Sequence, residues 1–212
     1  ARREGETMKR MVPVMLCAAA LAGCGGLKSS RPAEQVYVLR AAPALVATPA
    51  AQPVAGVLRV PRPVAQPGLD SSRIALTRAG NELDYFADSR WGEPLPKVLA
   101  AFAVESVAHG GHFETVVDAA ATSVLGDFDL LLTARHFEAA YAGDVPTARV
   151  AFDCVLLGGA PRRVLGRCDA EAEEPAGENR LGAIVGALER AAQKAIGDAG
   201  ARAAALARSI RK

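Results

Sequence analysis

The sequence predicts a single α/β domain in which a mixed β-sheet packs against a central helix and a long C-terminal helix. Three observations point to it. Short runs that alternate in polarity are separated by clusters of Gly and Pro, the pattern of strands and turns. Between two groups of such runs, Leu95, Val98, Leu99, Phe102 and Val107 recur at helical spacing, which gives one buried face. A longer stripe of Leu181, Ile184, Val185, Leu188, Ala192, Ala195 and Ile196 follows the last run.

Taken in order, residues 35–40 alternate and read as a first strand. Residues 41–55 are rich in Ala and Pro and read as a loop. Val57-Leu58-Arg59-Val60 is a second strand, stopped by Pro61 and Pro63, which cannot donate to a ladder. Pro67-Gly68-Leu69-Asp70 is a turn signal. Residues 73–78 and 82–87 form a hairpin about Ala79-Gly80-Asn81, with Ile74 and Leu76 inward and Leu83 and Tyr85 on one face.

Residues 89–96 close that hairpin and open the central helix. Pro94 and Pro96 fit a first turn, where a missing N–H costs nothing. The helix leaves at Gly110-Gly111. Residues 113–117 and 128–141 are strands. Residues 147–157 and 163–169 pair around Gly158-Gly159-Ala160-Pro161. Residues 171–178, with Glu171, Glu173, Glu174 and Glu178, are expected to be an acidic loop. In the C-terminal helix, Gly197 and Gly200 each cost about 1 kcal/mol relative to Ala. Residues 201–212 are set apart as a basic helical tail carrying Arg202, Arg208, Arg211 and Lys212. Those charges either complement the helix dipole in solvent or meet anionic lipid headgroups.

The N-terminal residues carry a different message. Met8-Lys9-Arg10 is a short positive segment, and the twelve residues 11–22 hold no charge. That run is too short to span a bilayer, which needs roughly 20 apolar residues, so 1–23 reads as a cleaved signal with 1–7 upstream of Met8. Leu21-Ala22-Gly23-Cys24 resembles the lipobox of bacterial lipoproteins. The resemblance implies cleavage before Cys24 and lipidation of it. Two or more acyl chains, at about 0.8 kcal/mol per buried methylene, anchor a protein stably. An ordinary secretory signal is the competing reading. Residues 24–34 are then a lipidated tether and 35–200 the folded domain. Gly25 replaces the aspartate that in such lipoproteins signals inner-membrane retention, so the resemblance implies the outer membrane, periplasmic face.

Residues 1–23 carry four basic and two acidic side chains, which accounts for the whole formal charge of +2. The remainder has 21 of each sign (25 − 4 and 23 − 2). A neutral chain with few aromatics argues against nucleic acid as a partner. Of four cysteines, Cys17 leaves with the signal and Cys24 is lipidated. Cys154 and Cys168 remain, an even pair in an oxidising compartment. Paired residues of an antiparallel hairpin share a constant sum, and these two average to Pro161 in the turn. They should face each other, with Val150, Phe152 and Cys154 on one face and Val164 and Cys168 on the opposing one. A disulfide Cys154–Cys168 is expected, and the competing reading is two buried thiols.

Chemistry-bearing motifs are sparse. No Gly-rich phosphate loop suggests an ATPase. His109-Gly110-Gly111-His112 lacks a Cys or carboxylate cluster to complete a metal site. Asp70-Ser71-Ser72 lacks a hydrolase elbow. No catalytic residue, metal or cofactor is expected. Arg90 and Trp91 are candidate partner contacts, because both types are enriched in interface hot spots. The alternative is Trp91 capping the core beside the helix start, with Arg90 stacked or paired.

Tyr37-Val38-Leu39, Leu69-Asp70-x-x-Arg73-Ile74 and Glu82-Leu83-x-Tyr85-Phe86-Ala87-x-x-Arg90-Trp91-x-x-Pro94-Leu95-Pro96 stand in a definite order. In order and spacing they resemble the ABC-type transport auxiliary lipoproteins, the group that includes the paraquat-inducible C-type lipoprotein. The resemblance covers most of residues 35–196. It implies a non-enzymatic envelope lipoprotein with a mixed sheet and helices against it. The implied partners are a protein with mammalian-cell-entry (MCE) domains and the ABC permease and ATPase of a lipid transporter, and a homo-oligomer is left open. A structural lipoprotein supporting outer-membrane assembly is the alternative, and a periplasmic hydrolase ranks below it.

Overall fold

The computed structural model describes residues 33–42, 52–78 and 82–210. From Glu34 onward they belong to one compact unit. Nine strands are found among the described residues: β1 (Gln35–Tyr37), β2 (Val54–Val60), β3 (Val64–Ala65), β4 (Arg73–Arg78), β5 (Glu82–Trp91), β6 (Phe113–Asp118), β7 (Phe128–Ala140), β8 (Thr147–Gly158) and β9 (Arg163–Pro175). Helix α1 (Leu95–His109) lies between β5 and β6, and helix α2 (Leu181–Ile210) follows β9. The mixed sheet with one central and one C-terminal helix is the predicted fold class.

Strand β7 organises the sheet. Along one edge it pairs antiparallel with β8 from Phe128↔Gly158 to Ala140↔Thr147, and β8 in turn pairs with β9. Its other edge is divided among three parallel strands. Leu58 and Arg59 of β2 pair with Phe128 and Asp129. Val64 and Ala65 of β3 pair with Thr133 and Ala134. Ala75 to Thr77 of β4 pair with Glu138 to Ala140. Beyond β2 lies β6, and beyond β4 lie β5 and then β1. Helix α1 carries the chain from β5, on the β4 side of β7, across to β6, beyond β2.

Both helices join one apolar core against a single side of the sheet. Leu95, Leu99, Phe102, Ala103 and Val107 are the buried side of α1. Pro94 is its N-cap residue, and Pro96 lies in its first turn, as the proline signal implied. In α2 the buried stripe begins at Ile184 and continues through Ala199, Ala203, Ala204 and Ala207. Arg202 and Arg208, expected on a separate tail, ride on this same helix, and Arg211 and Lys212 lie outside the described residues. Gly200 does not interrupt it and lies on the buried stripe, facing Val107 of α1. The close approach is at Gly166 of β9, where a Cβ would lie 2.7 Å from Leu206 Cδ2.

Several boundaries differ from expectation. Strand β1 is three residues long. Strand β2 begins at Val54 rather than at Val57. Strand β5 extends through Trp91, past the residues expected to close the hairpin. The Ala79-Gly80-Asn81 turn and most of the 41–55 loop lie outside the described residues. The acidic segment 171–178 is not a loop over its first part, since β9 continues to Pro175. Ladder bonds to β8 hold it, and its charges divide between the faces. Glu173 points away from the helices, with Arg149 Nε 3.8 Å off, whereas Glu174 faces α2 and meets Lys194 and Arg190. Those two cations hold the Glu174 carboxyl below its ordinary pKa, Lys194 foremost through its hydrogen bond. Charged residues on an edge strand also discourage edge-to-edge pairing.

Cys154 stands opposite Cys168 in the β8–β9 register, with Cα atoms 4.9 Å apart and the sulfurs joined. That separation is inside the roughly 4.4–6.8 Å a disulfide spans. Val164 is not on the Cys168 face. The register shifts between Leu156 and Leu157, Leu157 pairs with Val164, and Val164 is exposed on the other side. Formation of the bond in the exported protein is a proposal that thiol titration tests. Mature protein, denatured without reductant, is expected to present no free thiol. Reduction should then lower its stability by at most about 3 kcal/mol, the chain-entropy value for a loop of about 15 residues. Two titratable thiols before reduction would contradict the bond.

Candidate functional site

The side of the sheet away from the helices is open, and one irregularity in β7 shapes it. From Phe128 to Ala134 the even-numbered side chains are buried beneath the helices. The register then slips between Ala134 and His136, so Arg135 is an extra residue. A β-bulge of this kind re-aims the side chains that follow it. After it the odd-numbered Phe137 and Ala139 take up the buried face, while Arg135, His136 and Glu138 gather on the open side.

A cavity of about 450 Å³ lies over this bulge. Its floor includes Arg135, His136 and Glu138 of β7 and Arg149 of β8, and Thr77, Arg78 and Leu83 come from the β4–β5 pair. The segment joining β3 to β4 closes it with Gln66, Pro67 and Leu69. That segment is pinned: Gln66 donates its N–H to the Ala134 carbonyl at 3.0 Å, and Tyr85 Oη donates to the Gly68 carbonyl at 2.7 Å. Gly68 has φ +93°, and a Cβ there would meet Leu83 Cδ2 at 2.6 Å. Glycine thus serves both the turn and the tight crossing. Arg73 stacks on the Tyr85 ring at 3.5 Å and stiffens the same corner.

Within the cavity wall Glu138 is a buried carboxylate, 3% exposed. Its Oε1 lies 2.7 Å from His136 Nδ1, and its Oε2 accepts the Phe137 N–H at 2.6 Å. A buried acid is stable only when partnered in this way. Arg135 Nε is ion-paired with Asp153 Oδ1 at 2.8 Å. Arg149 has Glu173 at 3.8 Å. Arg78 borders the cavity, but its guanidinium turns to the Tyr141 ring, 5.7 Å from the centroid, on the side of the sheet that Leu76 and Ala139 share.

A second cavity, of about 370 Å³, opens at the end of the sheet beside Asp127, Arg162 and Ile210. Its polar groups are occupied. Arg162 pairs with Asp129 at 2.8 Å and donates to the Asp127 carbonyl at 2.9 Å, while the Asp127 carboxylate accepts the Val57 N–H at 2.8 Å.

The residues singled out in the sequence fall elsewhere. Trp91 is 1% exposed and meets Phe137 edge to face at 5.9 Å. Its indole is a core element and reaches no surface. Arg90 is half-exposed, pairs with Glu34 at 2.7 Å and donates to the Trp91 carbonyl at 3.0 Å. His109 is exposed, and burial, with Arg208 second, lowers the pKa of His112 below that of an ordinary histidine. No cluster of three potential metal ligands occurs among the described residues. Cys24 lies outside them. Sequence reasoning did not find Arg135, His136 and Glu138. Their signal was present in the run Ala134-Arg135-His136-Phe137-Glu138, where two polar residues in succession break the alternation of a long strand.

Comparison with known proteins identifies the class. The profile of the ABC-type transport auxiliary lipoprotein component family matches residues 37–198. The chain therefore belongs to that family. None of the curated proteins matches it. Among solved structures, protein XCC0632 from Xanthomonas campestris, of the DUF330 family, is similar at 23% identity with a TM-score of 0.70, over 84% of this chain and 97% of that one. A second, described only as an uncharacterized protein, is similar at 14% identity with a TM-score of 0.59, over 84% and 99% of the two chains. Both likenesses concern the fold. No helix among the described residues is long and apolar enough to cross a membrane.

The environment of Trp91 yields a prediction. Trp91→Ala should lower the unfolding free energy of the isolated protein by about 3–5 kcal/mol, the usual cost of emptying a buried aromatic site. Denaturant titration measures it. An unchanged midpoint together with lost partner recovery would return Trp91 to the role of a contact residue.

Proposed function

We propose that this chain is a non-enzymatic lipoprotein of the bacterial envelope, held at the periplasmic face of the outer membrane through lipid on Cys24. There it acts as the auxiliary component of an MCE-type lipid transport system. The observation that carries the reading is membership of the auxiliary lipoprotein family across residues 37–198, nearly the whole folded unit. The lipobox Leu21-Ala22-Gly23-Cys24 supports the anchor, and Gly25 supports the outer membrane as its destination. A short tether of 24–34 would hold the folded unit close to its membrane while leaving it free to meet a partner that crosses the periplasm. The family assignment supports a partner in ABC-type transport, and the partner we propose is an MCE-domain protein with its ABC permease and ATPase.

Affinity capture of the tagged full-length chain from solubilised, crosslinked envelopes tests this. Wild type is expected in the outer-membrane fraction and should bring down an MCE-domain protein or its permease. Cys24→Ser should leave the membrane fraction, because it removes the lipid attachment that this reading makes the anchor. Capture of peptidoglycan or assembly factors alone would favour a structural lipoprotein instead.

A further inference from the structure

At one end of the domain β7 begins, β8 turns into β9 and α2 finishes, around the cavity of about 370 Å³. Three apolar side chains stand out there, each from a different element. Leu125, beside the lining residue Gly126, is 89% exposed, and Val164 of β9 and Ile210 of α2 are 54% and 43% exposed. Cations are set among them. Arg163 precedes Val164 on the rim of the cavity, and Arg208 lies two residues before Ile210. No carboxylate among the described residues pairs with either, and Arg208 donates to the Gln52 carbonyl at 3.2 Å. The acids of this end are engaged. Asp129 lies between Arg59 and Arg162, at 3.5 and 2.8 Å. Asp127 accepts the Val57 N–H and Glu114 the Gly56 N–H. Arg211 and Lys212 follow Ile210 directly in the sequence, so positive charge is in excess here.

We propose that this end of the domain rests on an anionic phospholipid surface, with Leu125, Val164 and Ile210 entering the headgroup layer and Arg163 and Arg208 meeting its phosphates. Single apolar side chains set among cations suit that layer, where apolar burial and attraction to anionic lipid act together. The core of a protein–protein interface is instead depleted of charge. The reach of the chain agrees. Val36 pairs with Arg90, Arg90 with Arg73, and Ala75 with Glu138. Strand β1 therefore lies about eight residues along from Phe128, roughly 26 Å. Ten residues lead from Cys24 to Glu34, a span of at most about 36 Å, so a membrane that holds lipid on Cys24 can also meet this end. Only that last step rests on the anchoring reading. The contact is too weak alone to hold the chain to a membrane. Anchoring raises its effective concentration, and the contact then orients the domain that the anchor holds.

Flotation of the mature chain carrying Cys24→Ser, which has no lipid of its own, tests the surface. The vesicles hold equal parts of phosphatidylglycerol and phosphatidylcholine at low ionic strength, with phosphatidylcholine alone as the comparator. The chain is expected to float with the anionic vesicles at millimolar lipid and not with the neutral ones. Arg163→Gln with Arg208→Gln should lower the partition coefficient by about tenfold or more, since one cation near an anionic surface is worth about fivefold. Leu125→Ser with Ile210→Ser should lower it by about fivefold or more, through lost apolar burial. Lys97→Gln with Arg180→Gln removes the same charge at the starts of the two helices and should change it by less than about twofold, since neither side chain lies at this end. Circular dichroism establishes that the variants are folded. Absence of flotation with the anionic vesicles, binding retained in full by either pair of end variants, or an equal loss in the Lys97–Arg180 pair overturns the surface. Outer-membrane fractionation of the lipidated wild type is read separately. Its failure would strike the anchor and leave the vesicle result standing.

Discussion

Both edges of β7 must be satisfied at once, and the rest of the fold follows from how that is done. A thirteen-residue strand in the middle of a sheet exposes a row of N–H and C=O groups on each side, and buried backbone groups are almost always paired. The long β8 fills one side. The other side is filled in sections by β2, β3 and β4, which are reached in that order along the chain and lie in that order along β7. Prolines 61 and 63 end β2 and start the step to β3, and the 66–72 crossing makes the step to β4. The sheet therefore forks, and the fork leaves room for the cavity over the bulge.

The helices depend on the same strand. Leu130, Leu132, Ala134, Phe137 and Ala139 present a continuous buried face only because the bulge reverses parity after Ala134. Without that extra residue His136 and Glu138 would point into the apolar core, where an ionised carboxylate is costly. The bulge thus serves packing and site together. On the covered side, small residues set the distances. Alanines line most of the buried face of α2, and Gly166 admits Leu206. Ser106 of α1 and Gln193 of α2 place their polar atoms 3.3 Å apart at the helix–helix seam.

Much of this was legible in the sequence. Periodicity located both helices, and β4, β7 and β8 lie within a residue or two of expectation, because their alternation reflects a single covered face. The Cys154–Cys168 register could be read because the hairpin turn is short and the sum of paired numbers is constant. Three things were hidden. The charges of 171–175 suggested a loop, since sequence does not reveal that one face of β9 is open and that Glu174 on the other finds Lys194. The role of Trp91 was ambiguous, because hot-spot composition and core composition overlap at tryptophan. The cavity was invisible, since the extra place of Arg135 shows only in the pairing of β7 with β8, which also sets Glu138 opposite the sequence-distant Arg149.

Native-state hydrogen exchange on the mature chain tests the role of β7 most directly. Amides of β7 that pair with β8 should exchange only through global unfolding, with the full denaturant dependence of that transition, while those of the short edge strand β1 and of β6 open locally at lower free energy. Exchange of β7 amides through a local opening no more costly than that of β6 would contradict the central place given to this strand.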